Sequence, residues 1–175
     1  MRLSDGEIVL AGDGLVLREW TDADVAAMSA LFDEQSVDDW TPLESPFDES
    51  AARRYLDRAL RLRQRGLGLQ LAITTDGLTP LGEVLLFDGS QPGEAELAYA
   101  VGVQFRGRRL AARAMALLMD FARQQCEITS FRLTISPANG PSQHTARQAG
   151  FRLTGDPLEI RERKGRRLEM ATWRC

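Results

Sequence analysis

Two cysteines, Cys126 and Cys175, and one histidine, His144, are the whole supply of the softer metal-ligating side chains in this 175-residue sequence. They form no metal-type cluster, so no metal is expected, and a reduced, cytoplasmic setting is the reading. Cys126, near a helix end, reads as a buried small hydrophobe. No apolar run approaches the ~18 residues of a membrane span, and the first residues lack the apolar core of a signal peptide. An excess of positive charge is also missing. Lys and Arg total 22 against 25 Asp and Glu, a net charge of −3. That balance argues against nucleic acid as a partner, which would select a basic domain. Lysine itself is nearly absent, since Lys164 is the only one and arginine supplies the rest. This is a compositional bias rather than a functional signal.

What remains is an ordinary globular composition, 43% hydrophobic and 27% charged. The length suits a single domain over 1–175 with a sizeable core, with 1–13 as a loosely attached extension. Residues 15–20 read as a first strand, and Thr21 and Asp24 as the start of a helix through Val25, Met28, Leu31 and Phe32. Residues 33–50 carry Asp33, Glu34, Asp38, Asp39, Glu44, Asp48 and Glu49 with no basic residue among them. Ser50 caps a second helix over 51–65, ended by Gly66. Strands follow at 69–74 and 81–87, joined by a turn at Asp76 and Gly77. A helix over 110–125, a strand over 130–135, a short helix over 145–149 and a final strand pair around the Lys164–Gly165 turn complete the chain. The order predicts an α+β fold: a mixed, mainly antiparallel sheet flanked by helices.

The most informative stretch lies at 94–121. Residues 96–103 alternate as a strand does, and Leu110, Ala114, Leu117, Leu118 and Phe121 repeat at helical spacing. Between them Arg106, Gly107, Arg108 and Arg109 form a basic turn. A strand, a glycine-bearing turn and a helix N-terminus make an anion-binding device, since the first helical N–H groups have no partner inside the helix. The same stretch also fits a plain connection with solvated arginines.

The turn, with Gln104, Gly107 and Arg109, resembles the acyl-CoA pyrophosphate loop of the GNAT superfamily of N-acetyltransferases, Gln/Arg-x-x-Gly-x-Gly/Ala. Arg109 stands where that pattern has a small residue. A second segment, Asn139-x-x-Ser142 followed by a helix and then Gly150-Phe151, is similar to the family's strand–Asn-x-x-Ser–helix–Gly-Phe–strand. The resemblance covers roughly 14–175 and points to the branch of ribosomal-protein N-terminal acetyltransferases. It implies a GNAT-like sheet whose central strands, around 96–103 and 131–135, splay apart to seat pantetheine. It also implies acetyl-CoA as acyl donor and a primary amine, a protein N-terminus or a small amine, as acceptor.

Acetyl transfer requires a neutral amine, a stabilised thioester oxygen and a proton for a thiolate of ordinary pKa ~8.5. By the resemblance, Glu96 is the first candidate for the base, with Tyr99 beside it. In a regular strand the two project to opposite faces, and only a bulge would unite them. Ser142 is the proton donor or a hydrogen-bonding group near pantetheine, and Asn139 bonds its amide. Backbone N–H groups of Val101, Val103, Arg108, Arg109, Leu110 and Ala111 are the implied cofactor donors, with Gly107 shaping the loop and Arg106, Arg108 and Arg109 as phosphate partners. Trp40, Asp38 and Asp39 are expected to border the acceptor site, where acids would concentrate an ammonium. His144 receives no catalytic role. Two readings compete with the enzyme: a non-catalytic acyl-CoA-binding module, and an acidic loop that binds a cationic protein. A homodimer through the C-terminal strands, with Trp173 at the contact, is left open.

Overall fold

Strand alternation and turn chemistry lay out the sheet in the computed structural model, which describes residues 6–175. The chain opens with a hairpin, β1 (Val9–Gly12) against β2 (Leu15–Glu19). Asp13 and Gly14 join them, both at positive φ, the geometry of a type I′ turn. Residues 9–12 are thus built into the sheet, which corrects the expected loose attachment of 1–13; residues 1–5 lie outside the described residues. A 3-10 turn at Asp22–Asp24 leads into α1 (Val25–Phe32), α2 (Gln35–Trp40) and α3 (Glu49–Gln64). The strands β3 (Gly68–Thr74), β4 (Gly82–Asp88) and β5 (Glu94–Val101) form an antiparallel meander beside β2. Next come α4 (Leu110–Gln125), β6 (Ser130–Ile135), α5 (Gly140–Gln148) and β7 (Arg152–Leu153). The hairpin of β8 (Glu159–Arg163) and β9 (Arg166–Arg174) ends the chain.

The sheet order is β1-β2-β3-β4-β5-β6-β9-β7, with β8 on β9. All pairings are antiparallel except β5 with β6. That parallel ladder holds only Glu94↔Ser130, Ala95↔Phe131 and Glu96↔Arg132. Beyond it β5 stays with β4 as far as Val101, while β6 stays with β9 as far as Ile135. The central pair therefore splays, as expected.

Both faces of the sheet are covered. On one, Leu110, Met115, Leu118 and Ala122 of α4 pack on Leu71, Val84, Leu97 and Leu133. On the other, α1 and α3 place Met28, Phe32 and Leu56 with Trp20, Phe47 and Ala72. Phe32 stands edge-on between Trp20 and Phe47, with centroids at 6.3 and 6.1 Å. Trp173 is 2% exposed in the α4-side core. Its side chain is thus spent on internal packing and is not a dimer contact.

Three helix starts differ from the sequence reading, each through a cap. Glu34 accepts from Ser36 N and starts α2 inside the stretch read as a loop. The Asp48 carboxylate accepts from Ala51 N at 2.8 Å, so α3 begins before Ser50. Asn139 Oδ1 accepts from Ser142 N at 3.1 Å and, with Pro141 in the first turn, starts α5 at Gly140.

A buried ion pair ties β2 to the start of α1. Arg18 Nη1 and Nη2 donate to the two Asp24 oxygens at 2.7 and 2.8 Å, and the Thr21 N–H adds a bond at 2.9 Å. Burial works to raise the Asp24 pKa, but the Arg18 and Thr21 donors outweigh it and hold the carboxyl below its ordinary value. The resulting stability is present above the unfolded pKa of ~3.9 and is lost as pH falls through the folded value. Asp24→Ala is expected to cost about 3 kcal/mol in urea unfolding at pH 7, because it leaves Arg18 buried without its partner. The deficit should shrink as the pH drops below ~4.

Candidate active site

The divergence of β5 and β6 opens a cavity of about 420 Å³. Its walls include Tyr99, Ala100 and Val101 of β5, the turn residues Arg106, Gly107 and Arg109, Leu110 and Ala111 of α4, and Asn139 and Ser142. The turn is shaped by two left-handed residues, Gly107 at φ +79° and Arg109 at φ +55°. Nothing lies within 4 Å of a Cβ built on Gly107, so the backbone there is open to a ligand. The first N–H groups of the 16-residue α4 have no carbonyl partner within the helix and carry its positive end. Arg109 occupies the position where the loop needs a left-handed conformation, which explains why a small residue suits it.

The three loop arginines divide. Arg106 is committed to protein contacts: it donates to Glu34 at 2.8 Å, Ser36 Oγ at 2.7 Å and the Val101 carbonyl at 3.1 Å. Arg108 lies over the Phe105 ring at 5.6 Å. Among the described residues neither Arg108 nor Arg109 has a carboxylate partner. Val103 and Arg108 do not line the cavity. Val103 has left the strand for a 3-10 turn, Val103–Phe105, and is 58% exposed.

A second cavity, about 440 Å³, extends over the α1 and α3 face of the sheet. It shares Trp40, Thr41, Tyr99, Ala100, Asn139 and Ser142 with the first, so the two meet there. At that junction the Tyr99 hydroxyl and Ser142 Oγ are 2.7 Å apart, and Tyr99 also donates to the Ser142 carbonyl at 3.0 Å. Ala98 and Ala100 stand opposite Leu85 and Glu83 of β4, and their small side chains leave the room.

Glu83 sits beside this junction and is 3% exposed. Tyr55 Oη donates to its Oε1 at 2.9 Å, while Oε2 has no hydrogen-bond partner. Burial pushes its pKa up to about 7, against the Tyr55 hydroxyl and the Trp20 indole, which favour the charged form. The indole N–H lies nearby without hydrogen-bonding geometry. Gln70, in the same cavity wall, is 8% exposed with Oε1 equally unpartnered. The sequence reading passed over both residues. Their signal was a single polar side chain inside each of two apolar strands, which pattern alone does not separate from a surface position.

Glu96 also lines the second cavity, but its Oε1 is occupied by Thr134 Oγ1 at 2.9 Å and Arg161 at 3.2 Å. The β4–β5 register runs without interruption from Gly82↔Val101 to Asp88↔Ala95. No bulge intervenes, so Glu96 and Tyr99 project to opposite faces. Both reach the cavity because it wraps around β5 where β6 has left it. Trp40 lines both cavities. Asp38 and Asp39 line neither: Asp38 pairs with Lys164 and Arg166, and Asp39 with Arg166 at 3.1 Å. The acids tie α2 to the β8–β9 turn instead of forming an acidic wall. The charged residues of the second cavity are Arg58, Arg161 and Arg163 against Glu83 and Glu96.

Among the described residues no group of three His, Cys, Asp or Glu could hold a metal, and no helix is long and apolar enough to cross a membrane. The family model of the acetyltransferase (GNAT) domain matches residues 14–152. A search of curated proteins by sequence gave no match. Among solved structures, RimJ of Mycobacterium smegmatis in complex with CoA-disulfide is 21% identical, with 97% of this chain and 86% of that chain covered at a TM-score of 0.82. A Salmonella typhimurium acetyl transferase that modifies the N-terminal serine of the 50S ribosomal subunit protein L7/L12 is 17% identical, with 96% and 98% covered at 0.85. A GNAT-family acetyltransferase from Bacillus anthracis is 14% identical, with 96% and 98% covered at 0.83. At these identities the likeness is one of fold.

The strained position in the loop gives a direct test. Arg109→Gly is expected to raise stability by about 0.5–1 kcal/mol, relief of left-handed strain partly offset by unfolded-state entropy. Thermal unfolding of the two proteins reads this.

Proposed function

Because the chain belongs to the GNAT acetyltransferase family, whose acyl donor is acetyl-CoA, we propose that it transfers the acetyl group to a primary amine by direct attack in a ternary complex. The observation that carries this reading is the meeting of two cavities at Tyr99 and Ser142. The donor fits the first cavity. Its pyrophosphate suits the N–H groups at the start of α4, with Arg108 and Arg109 as cationic neighbours. The β5 edge left by β6 suits the pantetheine amides, which would pair with it as an added strand. Asn139 and Ser142 close the opposite wall. Acetyl-CoA supplies an activated acyl carbon, so the chain needs no nucleophile of its own.

The amine enters through the second cavity. It must lose a proton to attack. Glu83 is the group we assign to this task, in place of Glu96, whose Oε1 holds Thr134 and Arg161. Glu83 lines the cavity with one free oxygen, and its pKa of about 7 suits a base at neutral pH. A nitrogen–carbon bond forms, the carbon–sulfur bond breaks, and the amine proton passes to Glu83. The departing sulfur takes a proton from the Tyr99–Ser142 pair, whose hydroxyls are 2.7 Å apart, and the second proton that the acylated nitrogen sheds restores the pair. The acceptor is a protein N-terminus, as for the Salmonella typhimurium neighbour, or a small amine.

Initial rates with acetyl-CoA and a panel of primary amines test the reading. Intersecting two-substrate patterns are expected. Acetyl-CoA binding with no turnover on any amine would instead mark a non-catalytic acyl-CoA-binding module. Where turnover is found, kcat should rise with pH through about 7, since Glu83 acts deprotonated. Glu83→Gln should lower kcat by about 10²-fold or more and abolish that limb. Glu96→Gln should keep it.

A further inference from the structure

The wall of the second cavity carries charge of both signs. It offers Glu83, opposite Ala100, and Gln70, opposite Leu85, each with an unpartnered oxygen. The same wall carries Arg58, whose charge acts on the Tyr55 that bonds Glu83, and Arg161 and Arg163. These arginines are not equivalent. Arg161 is already matched, with Glu96 at 3.2 Å and Glu159 at 3.1 Å. Arg163, the last residue of β8, is half-buried, and its Nη1 donates only to the Trp40 carbonyl, at 3.0 Å. Among the described residues it has no carboxylate partner.

A guanidinium stays charged in a protein, and one withdrawn from water without a counter-ion is unfavourable. Burial accordingly lowers the Arg163 pKa, and neighbouring Arg161 adds to this. Glu96 offsets this only through space, its Oε1 being held by Thr134 and Arg161, while Asp38 and Asp39 are held by Lys164 and Arg166. A planar fork with free N–H groups in a cavity wall matches a carboxylate. The Trp40 carbonyl that Arg163 contacts belongs to a residue lining both cavities, which places the fork close to the path of the acceptor.

We infer that Arg163 is a carboxylate-binding subsite, and that the acceptor is an amine that also carries a carboxylate, its nitrogen directed toward Glu83 and Gln70 and its carboxylate toward Arg163. The inference rests on the acyl-transfer reading for the identity of the amine. It replaces the cation-attracting acidic wall expected from residues 33–50 with an anion-selecting one. The carboxylate can be the α-carboxylate of a free amino acid or an acidic side chain next to a peptide N-terminus.

Calorimetry on the full chain saturated with CoA separates these sources with two probe pairs. Serine is compared with serinamide, and the amidated tripeptide Ser-Asp-Ala with Ser-Asn-Ala. In one pair or both, the carboxylate probe should bind at least about tenfold more tightly, as loss of one charge-assisted contact implies. Arg163→Gln should bring that ratio to about one, and Arg163→Lys should restore part of it. Urea unfolding of each variant shows whether the fold is kept. Arg58→Gln, on a different element, should reduce the ratio less. Equal affinities within both pairs for the unaltered protein would overturn the inference, as would an Arg163→Gln protein that keeps the preference. Release of free thiol from acetyl-CoA with serine and with the amidated Ser-Asp-Ala reports the acyl-transfer reading separately. Its absence alongside an intact carboxylate preference would sink that reading and leave the subsite standing.

Discussion

The site depends on β5 and β6 parting after Glu96. Three paired positions bring the strands together, and then each follows its other neighbour. Continuous pairing would have satisfied the β5 backbone groups on that edge. Parting leaves them available, and backbone groups left inside a protein need partners. The α5 helix, started by Asn139 and joined to Tyr99 through Ser142, borders the gap. The two cavities and their junction follow from this divergence.

Charge is placed with a matching division of labour. Acids of the segment between α1 and α3 hold neighbouring elements: Glu34 takes Arg106, Glu44 takes Arg54, and Asp38 takes Lys164, the chain's only lysine. The carboxylate we assign to the chemistry is buried and lacks an ion-pair partner. Glu83 is isolated among apolar strands, and burial brings it into the range of neutral pH. Among the described residues, the arginines without acidic partners include Arg109 at the start of α4 and Arg58 and Arg163 in the wall of the second cavity, places where an anion would arrive. Arg109 keeps its charge at a left-handed position, so electrostatic benefit and backbone strain oppose each other at one residue.

Much of this was legible in the sequence. The helix over 110–125 and the strand over 130–135 were bounded to the residue, because long periodic faces and flanking turns agree there. The strand–turn–helix and Asn139–Ser142 signatures located the loop and the wall of the cleft. The short α2 was not legible: six residues, mostly polar, carry too little period. Nor was the fate of Asp38 and Asp39, whose partners lie more than a hundred positions away on the β8–β9 turn. Glu83 and Gln70 escaped for a related reason. What distinguishes them is burial from both sides and a missing partner, and neither property is local to the chain. Glu96 looked free until Arg161 and Thr134 were brought to it by the fold.

Amide hydrogen exchange across β5, followed by NMR with and without acetyl-CoA, addresses the parting of the strands most directly. In the free protein the amides of residues 94–96 should be slow. Those of 98–101 that point away from β4 should be fast, because no strand covers them. Saturating acetyl-CoA should slow the fast ones and leave the first group as it was. If acetyl-CoA binds and slows exchange elsewhere while these amides keep their rates, or if they are already protected in the free protein, the splayed edge is not the seat of the donor and the account fails.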